Sequence, residues 1–196
     1  MVAHLRRSIV IALLFIGVTF AYAYAGTGVS QALFSHQANG SVTAAGSTLI
    51  GQNWSSPKWF HGRPDAAGPY AASKTQSGGD NPLVANGFSG ESGATNLGPR
   101  SKVLLTNTQQ LVAYWQSMGV NPTPDLVTTS GSGYDPDISP LDATVQIRMI
   151  SKATGLSAST LQGLIEQQTH GAQWGFLGSS YIDVLQLNEG LAALEH

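Results

Sequence analysis

An α+β domain carried outside the cytoplasm behind one N-terminal transmembrane helix is the fold class this sequence predicts. Three observations predict it. Ser8 to Ala25, SIVIALLFIGVTFAYAYA, holds no charged residue and follows a pair of cations, Arg6 and Arg7. From Ser101 onward apolar residues recur at helical spacing between recognisable caps. Between these two regions lie short β-prone runs set among turn residues, in a chain with 23 Gly and 9 Pro.

The apolar start comes first. Eighteen residues at 1.5 Å each make a helix of about 27 Å, near the thickness of a bilayer's hydrocarbon core. Running on to Val29 gives about 33 Å. In lipid a helix satisfies its own backbone N–H and C=O groups, so a single span over 8–29 is expected. By the positive-inside rule Arg6 and Arg7 keep residues 1–7 in the cytoplasm and place 30–196 on the other side. A cleavable signal is the alternative, since Ala21-Tyr22-Ala23 and Ala23-Tyr24-Ala25 both offer an A-x-A ending. Cleavage would leave a secreted or tethered binding domain. Against it, the uncharged run continues through Leu33 and Phe34, and Tyr22 and Tyr24 suit an interfacial aromatic belt.

Gln31 to Val42 reads as a juxtamembrane turn centred on Asn39-Gly40. Thr48 to Gln52, TLIGQ, and the aromatic segment around Trp59 are the expected strands of a small sheet. In Lys58 to Ala66, KWFHGRPDA, the preferred reading is an aromatic strand whose Arg63 bonds local carbonyls; the competing one is a binding edge. His61 alone is no metal site, because zinc needs three or four converging ligands. Gly68 to Pro99 is long, irregular and rich in Gly, Ser, Asn and Pro, which in a compact domain points to an interaction surface.

Three or four helices are expected after Ser101. The first runs from about Ser101 to Met118, with Leu104, Leu105, Leu111, Val112, Trp115 and Met118 on one face and Gly119 as its stop. Ser139 has the marks of an N-cap, with Pro140 at the first helical position and Asp142 three residues on. That helix reaches about Thr154, with Leu141, Val145 and Met149 spaced by four. Ser157 caps the next, which turns Leu161, Leu164 and Ile165 inward and ends near His170. Tyr181 to Leu187 is either a final strand or the first turns of a helix reaching Leu194.

Charge excludes several functions. Charged residues are 10% of the chain, and the part after the span carries seven Lys and Arg against 11 Asp and Glu, a net of −4. Without a basic patch, nucleic acid is not a partner. No cysteine is present, which rules out disulfides, thiolate metal sites and a cysteine nucleophile. Neither a phosphate loop nor a dinucleotide fingerprint occurs. SGSG at Ser130 to Gly133 lacks the outer glycine of a nucleophile elbow. Asp135-Pro136-Asp137-Ile138-Ser139 spaces oxygens as a calcium loop does, without the central Gly or later Glu, so it reads as a turn feeding the cap at Ser139. Gln76, Ser77, Gly78 and Gly79, followed by Asp80, resemble a nucleotide-contacting signature loop, although Asp80 puts a negative charge where phosphate would sit. Neither a catalytic residue nor a metal site emerges.

Taken in order, HQANGS (His36 to Ser41), GSTLIGQNW (Gly46 to Trp54), WFHGRPDA (Trp59 to Ala66), SGATNLGP (Ser92 to Pro99), LVTTSGSGYDPDISP (Leu126 to Pro140) and YIDVLQLN (Tyr181 to Asn188) give the chain, nearly end to end, a resemblance to the C subunit of the Kdp-type potassium-transporting ATPase. The resemblance implies that the N-terminal helix is retained. It implies a non-catalytic accessory subunit in the cell membrane, stabilising assembly and modulating potassium entry. Implied partners are a channel-like potassium-selective subunit, a P-type ATPase subunit and a small single-span subunit. It also implies a chaperone role toward ATP affinity without naming the nucleotide contacts, for which the signature-like loop Gln76, Ser77, Gly78 and Gly79 supplies the candidates. That role sits badly with a domain placed away from cytoplasmic ATP. Ala12, Gly17, Ala21 and Ala25 are expected to seat a partner helix closely. The chain departs from the family in having Ala23 and Ala25 after its tyrosines, where many members have Pro, and Ala94 in place of a glycine.

Overall fold

The computed structural model describes residues 2–52, 54, 56–64 and 94–195. The chain divides into two units, Met1–Val42 and Thr43–His196.

In the first unit, α1 runs through Val2–Leu33, 32 residues with none buried. At 1.5 Å per residue it is about 48 Å long, so it continues past the expected 8–29 at both ends. It is long and apolar enough to cross a membrane. A helix apolar on every face and exposed on every face requires lipid or other helices around it. The expected turn after Gln31 begins later than predicted, because α2, Ser35–Ala38, adds one more helical turn. The break falls at Asn39-Gly40 as the sequence predicts: Gly40 has φ +85°, and the Asn39 side-chain amide donates to Ser35 O at 2.7 Å.

In the second unit the expected sheet is wrong in place. Neither Thr48–Gln52 nor the Trp59 segment forms a strand. The sheet is two-stranded and antiparallel, β1 Asp137–Ile138 against β2 Ile182–Asp183, with Asp137 opposite Asp183 and Ile138 opposite Ile182. The 48–52 run instead passes across the 134–135 loop. Gly51 N–H donates to Tyr134 O at 3.0 Å, and a Cβ on Gly51 would lie 2.9 Å from Asp135 O. Only glycine permits that approach.

Among the described residues four helices complete this unit. The first, α3, is Lys102–Ser117, and the Ser101 hydroxyl accepts from Leu104 N–H. Its inward side is narrower than expected: Leu111 and Trp115 are buried, whereas Leu105 is 59% exposed. Trp115 satisfies its indole by donating to Leu126 O at 3.0 Å, inside the 3-10 turn Asp125–Val127. The next, α4, is Pro140–Thr154 and opens with the expected reciprocal cap between Ser139 and Asp142. Its core face is not the Leu141–Val145–Met149 row. Leu141 is 62% exposed and Val145 half-buried, while Ala143, Gln146, Met149 and Ile150 point inward. The buried stripe follows the i, i+3, i+4 pattern instead of a strict four-residue spacing. Gly155, at φ +78°, ends α4 in the left-handed conformation that glycine adopts without strain.

Then α5, Ala158–Gln168, buries Leu161, Leu164 and Ile165 as expected. The last stretch proves to be both things at once: β2 gives way directly to α6, Val184–Leu194, and Asp183 closes one and caps the other, accepting from Gln186 N–H. Helices α5 and α6 lie so close that a Cβ on Gly190 would meet Leu164 Cδ1 at 2.8 Å. Phe60, Trp115, Leu126, Ile150, Ile165, Ile182 and Leu191 share one core.

Candidate functional site

The aromatic segment WFHGRP is the organising strip of the domain. Among the described residues its backbone finds no strand to pair with, yet Phe60 and His61 are buried at 0% and 2% exposure. Two side-chain amides act as that missing strand. Phe60 N–H donates to Asn188 Oδ1 at 2.8 Å, and Asn188 Nδ2 donates back to Phe60 O at 2.9 Å. One residue on, His61 N–H donates to Gln146 Oε1 at 2.8 Å, and Gln146 Nε2 donates to His61 O at 3.0 Å. Buried backbone groups require partners, and here α4 and α6 supply them from a Gln and an Asn in their apolar faces.

Arg63 continues the strip outward. Its Nε and Nη2 both donate to Thr128 O at 3.3 Å, and Nη2 donates to Thr129 O at 3.2 Å. Asp125 and Asp135 each stand 3.7 Å from the guanidinium. Arg63 does bond carbonyls, but they lie some 65 residues away in sequence and are not local. One cation therefore gathers the LVTTSGSGYDPD loop onto the aromatic strip. On the other side of the strip Trp54 and Trp59 are 5.3 Å apart, and Lys58 Nζ sits 4.3 Å above the Trp59 ring.

The His61 imidazole meets the edge of Trp115 at 5.5 Å. Burial lowers its pKa to about 4, and the nearby backbone of Trp54 and Ser56 only partly opposes this. The folded state therefore holds His61 neutral. Its folded pKa lies below the unfolded value, so its contribution is intact above pH 6.5 and is lost as pH falls toward 4. Over that window the wild type is expected to lose about 3 kcal/mol of stability through this group. In a series of urea titrations from pH 7 to 4, His61→Phe should flatten this loss, and an unchanged slope would remove His61 as its source.

A second feature is an open cavity of about 340 Å³ lined by Thr48, Leu49, Pro136, Asp137, His170, Tyr181, Asp183 and Gln186. The register of the sheet sets Asp137 directly opposite Asp183. Burial first, then the charges of Asp135 and Asp183, raise the Asp137 pKa to about 6, with His170 opposing. Burial raises Asp183 as well, against its cap bonds at Gln186 and Leu185. Like charges face to face weaken a sheet. Because the Asp137 pKa is raised on folding, its share of stability is full below pH 3.8 and lost as pH rises through about 6. Asp137 is only half-buried, so solvent reduces the effect. Asp137→Asn should raise Tm by about 3 °C at pH 7.5 and leave it unchanged at pH 3.5. Equal shifts at both pH values would refute the pairing.

The other predicted residues fall as follows. On α1, Gly17, Ala21 and Ala25 follow one another at i, i+4 along a single stripe, but Ala12, five residues before Gly17, is rotated about 140° away. A Cβ on Gly17 would meet nothing within 4 Å. Gln76, Ser77, Gly78 and Gly79 lie outside the described residues. The DPDIS oxygens serve local roles: Asp135 Oδ1 accepts from Asp137 N–H, Asp137 belongs to β1, and Ser139 caps α4. Among the described residues no group of three or more His, Cys, Asp or Glu is placed to hold a metal ion. Gln146 and Asn188 were missed as site residues. The signal that identifies them is an amide in a helix's apolar stripe, beside Ala143 and Ile150 for one and Leu187 and Leu191 for the other.

Known proteins resemble this chain along almost its whole length. The family model KdpC, described as K+-transporting ATPase, c chain, matches residues 4–193. A relative from Sorangium cellulosum is 37% identical over 97% of this chain and 98% of its own. One from Paraburkholderia phytofirmans is 40% identical over 97% of both. One from Allorhizobium ampelinum is 39% identical over 98% of this chain and 97% of its own. All three are named potassium-transporting ATPase KdpC subunit.

Proposed function

This chain belongs to the KdpC family, the C chain of the potassium-transporting ATPase, and on that premise we propose that it is the accessory subunit of an ATP-driven potassium-uptake complex. The observation that carries the reading is the extent of the family match, which begins at residue 4 and therefore includes α1. That extent gives release by signal cleavage no support. In this reading α1 crosses the cell membrane once, with Arg6 and Arg7 in the cytoplasm and the α+β domain on the outer side. Its partners are a channel-like potassium-selective subunit, a P-type ATPase subunit and a small single-span subunit. Its work is assembly and the modulation of potassium entry, while phosphorylation chemistry belongs to the pumping subunit.

ATP enters this reading indirectly. A domain on the outer face is separated from cytoplasmic nucleotide, so an influence on ATP affinity passes through α1 and the channel-like subunit. Fluorescent ATP titrated onto the full chain should give no saturable signal; saturation would overturn this part of the reading.

The decisive experiment is purification from membranes of the native host through a tag on this chain in mild detergent. Recovery of a potassium-stimulated ATPase together with the chain is the expected result. Protease added to right-side-out vesicles should remove the domain and leave the N-terminus protected. Recovery of the chain alone would sink the assembly reading, and protection of the domain would sink the topology.

A further inference from the structure

Between His170 and Tyr181 the chain makes a hairpin in which none of the residues 171–180 is buried. His170 and Tyr181 exchange backbone hydrogen bonds at its base, 2.9 and 3.0 Å, and their rings stack at 5.0 Å. Gln173 and Leu177 form a second rung, 2.8 and 2.9 Å. At the tip Trp174 and Gly175 both have left-handed backbone, φ +52° and +82°. Glycine takes that conformation freely, whereas a bulky aromatic does so at a cost. The cost positions a side chain that packs against little of its own domain: Trp174 is 85% exposed and Phe176 75%. A strained turn that carries two aromatics into solvent is built to place them against something else.

We infer that this hairpin is a second membrane contact, inserting Trp174 and Phe176 into the headgroup region of the bilayer; the inference rests on the proposal that α1 spans the membrane. Three observations favour lipid over a protein surface. No residue from Gly171 through Ile182 is charged, so entry into a medium of lower dielectric strips water from no ion. The backbone at the tip is largely satisfied within the hairpin, with Gly175 N–H on Ala172 O and Phe176 N–H on Gln173 O as well as the second rung, as a lipid-contacting backbone must be. The two aromatics offer about 150–250 Å² each, short of the roughly 800 Å² per partner of a stable protein interface. Indole rings also prefer the headgroup level itself.

The base of the hairpin lies beside residues from the first turns of the domain's own chain. Thr48 and Leu49, just inside the second unit, line the same cavity as His170 and Tyr181. The hairpin is thus rooted on the edge by which the chain enters the domain.

Tryptophan fluorescence tests the contact. The chain has four tryptophans, none of them in α1, and Trp115 is fully buried. The full chain, and the assembled complex, would be reconstituted into phosphatidylcholine vesicles whose acyl chains carry bromine near the headgroup or near the bilayer centre. Shallow bromine should quench wild-type emission more than deep bromine, and Trp174→Asn should lose that component. Asparagine tolerates the left-handed conformation, so this variant should keep or raise the Tm of the domain and still float with the vesicles. Flotation with no Trp174-dependent lipid quenching would overturn the inference. So would a Trp174 shielded from both bromolipid and aqueous acrylamide in the complex, which would mark a partner subunit as its seat. Failure of wild type and variant alike to float would instead refute the span of α1 and, with it, the premise.

Discussion

Asn188→Leu is expected to cost the domain about 2–6 kcal/mol. The substitution leaves two buried backbone groups, the N–H and C=O of Phe60, with no partner, at about 1–3 kcal/mol each. Leucine fits the volume of the site and suits the stripe of Leu187 and Leu191, so packing alone would predict little change. The loss therefore isolates the hydrogen bonds at 2.8 and 2.9 Å. Against a typical domain stability of about 5–15 kcal/mol this is enough to leave part of the population unfolded at 37 °C. Gln146→Leu should act similarly through His61. The double variant should fall short of the sum, because both amides hold the same two-residue strip and neighbouring sites do not add. Urea titration followed by Trp115 emission measures each. A loss below about 0.5 kcal/mol for Asn188→Leu would show that Phe60 finds other partners.

The second large effect belongs to α1. Gly17→Leu combined with Ala21→Leu is expected to reduce recovery of the chain with its complex in detergent by about tenfold, the consequence of losing roughly 1.4 kcal/mol of close helix packing. The chain itself should be unharmed, since a Cβ on Gly17 meets nothing within 4 Å and no residue of α1 is buried. Ala12→Leu is the internal control, because its position is rotated away from the stripe and should leave recovery intact. If the paired substitutions leave recovery unchanged, the proposed seat of the partner helix on this stripe is wrong and the α+β domain holds the contact.

Local signals in the sequence proved reliable where one short stretch decides the outcome. Ser139, Pro140 and Asp142 announce the start of α4, Ser157 that of α5, and Gly155 an end, because caps and stops depend on neighbouring residues alone. The apolar start likewise reads directly as a helix long enough to cross a membrane. The sheet did not, for a physical reason. TLIGQ and the Trp59 segment have strand composition, but strands need partners, and in this fold two-residue strands from 137–138 and 182–183 pair with each other while side-chain amides occupy the place beside Phe60 and His61. Pairings of that range leave no periodicity to read. The inward row of α4 differs from the expected one because a strict spacing of four from Leu141 passes over Gln146, a polar residue that is buried at 0% exposure. Arg63 was assigned the right kind of acceptor and the wrong address. The exposed tip at Trp174 had no signal beyond its glycines.

The amide clasp around Phe60 also sets an order in time. Asn188 stands 128 residues beyond Phe60. A ribosome therefore emits Phe60 well before the other half of the clasp. Phe60 must wait, unpaired, until α6 is made, and its closure is a long-range event of the slow kind. By then α1 has long left the ribosome. The clasp around Phe60 thus closes only after 128 further residues have been made, and the interval before it is when the aromatic strip is open to protease or to a holding chaperone.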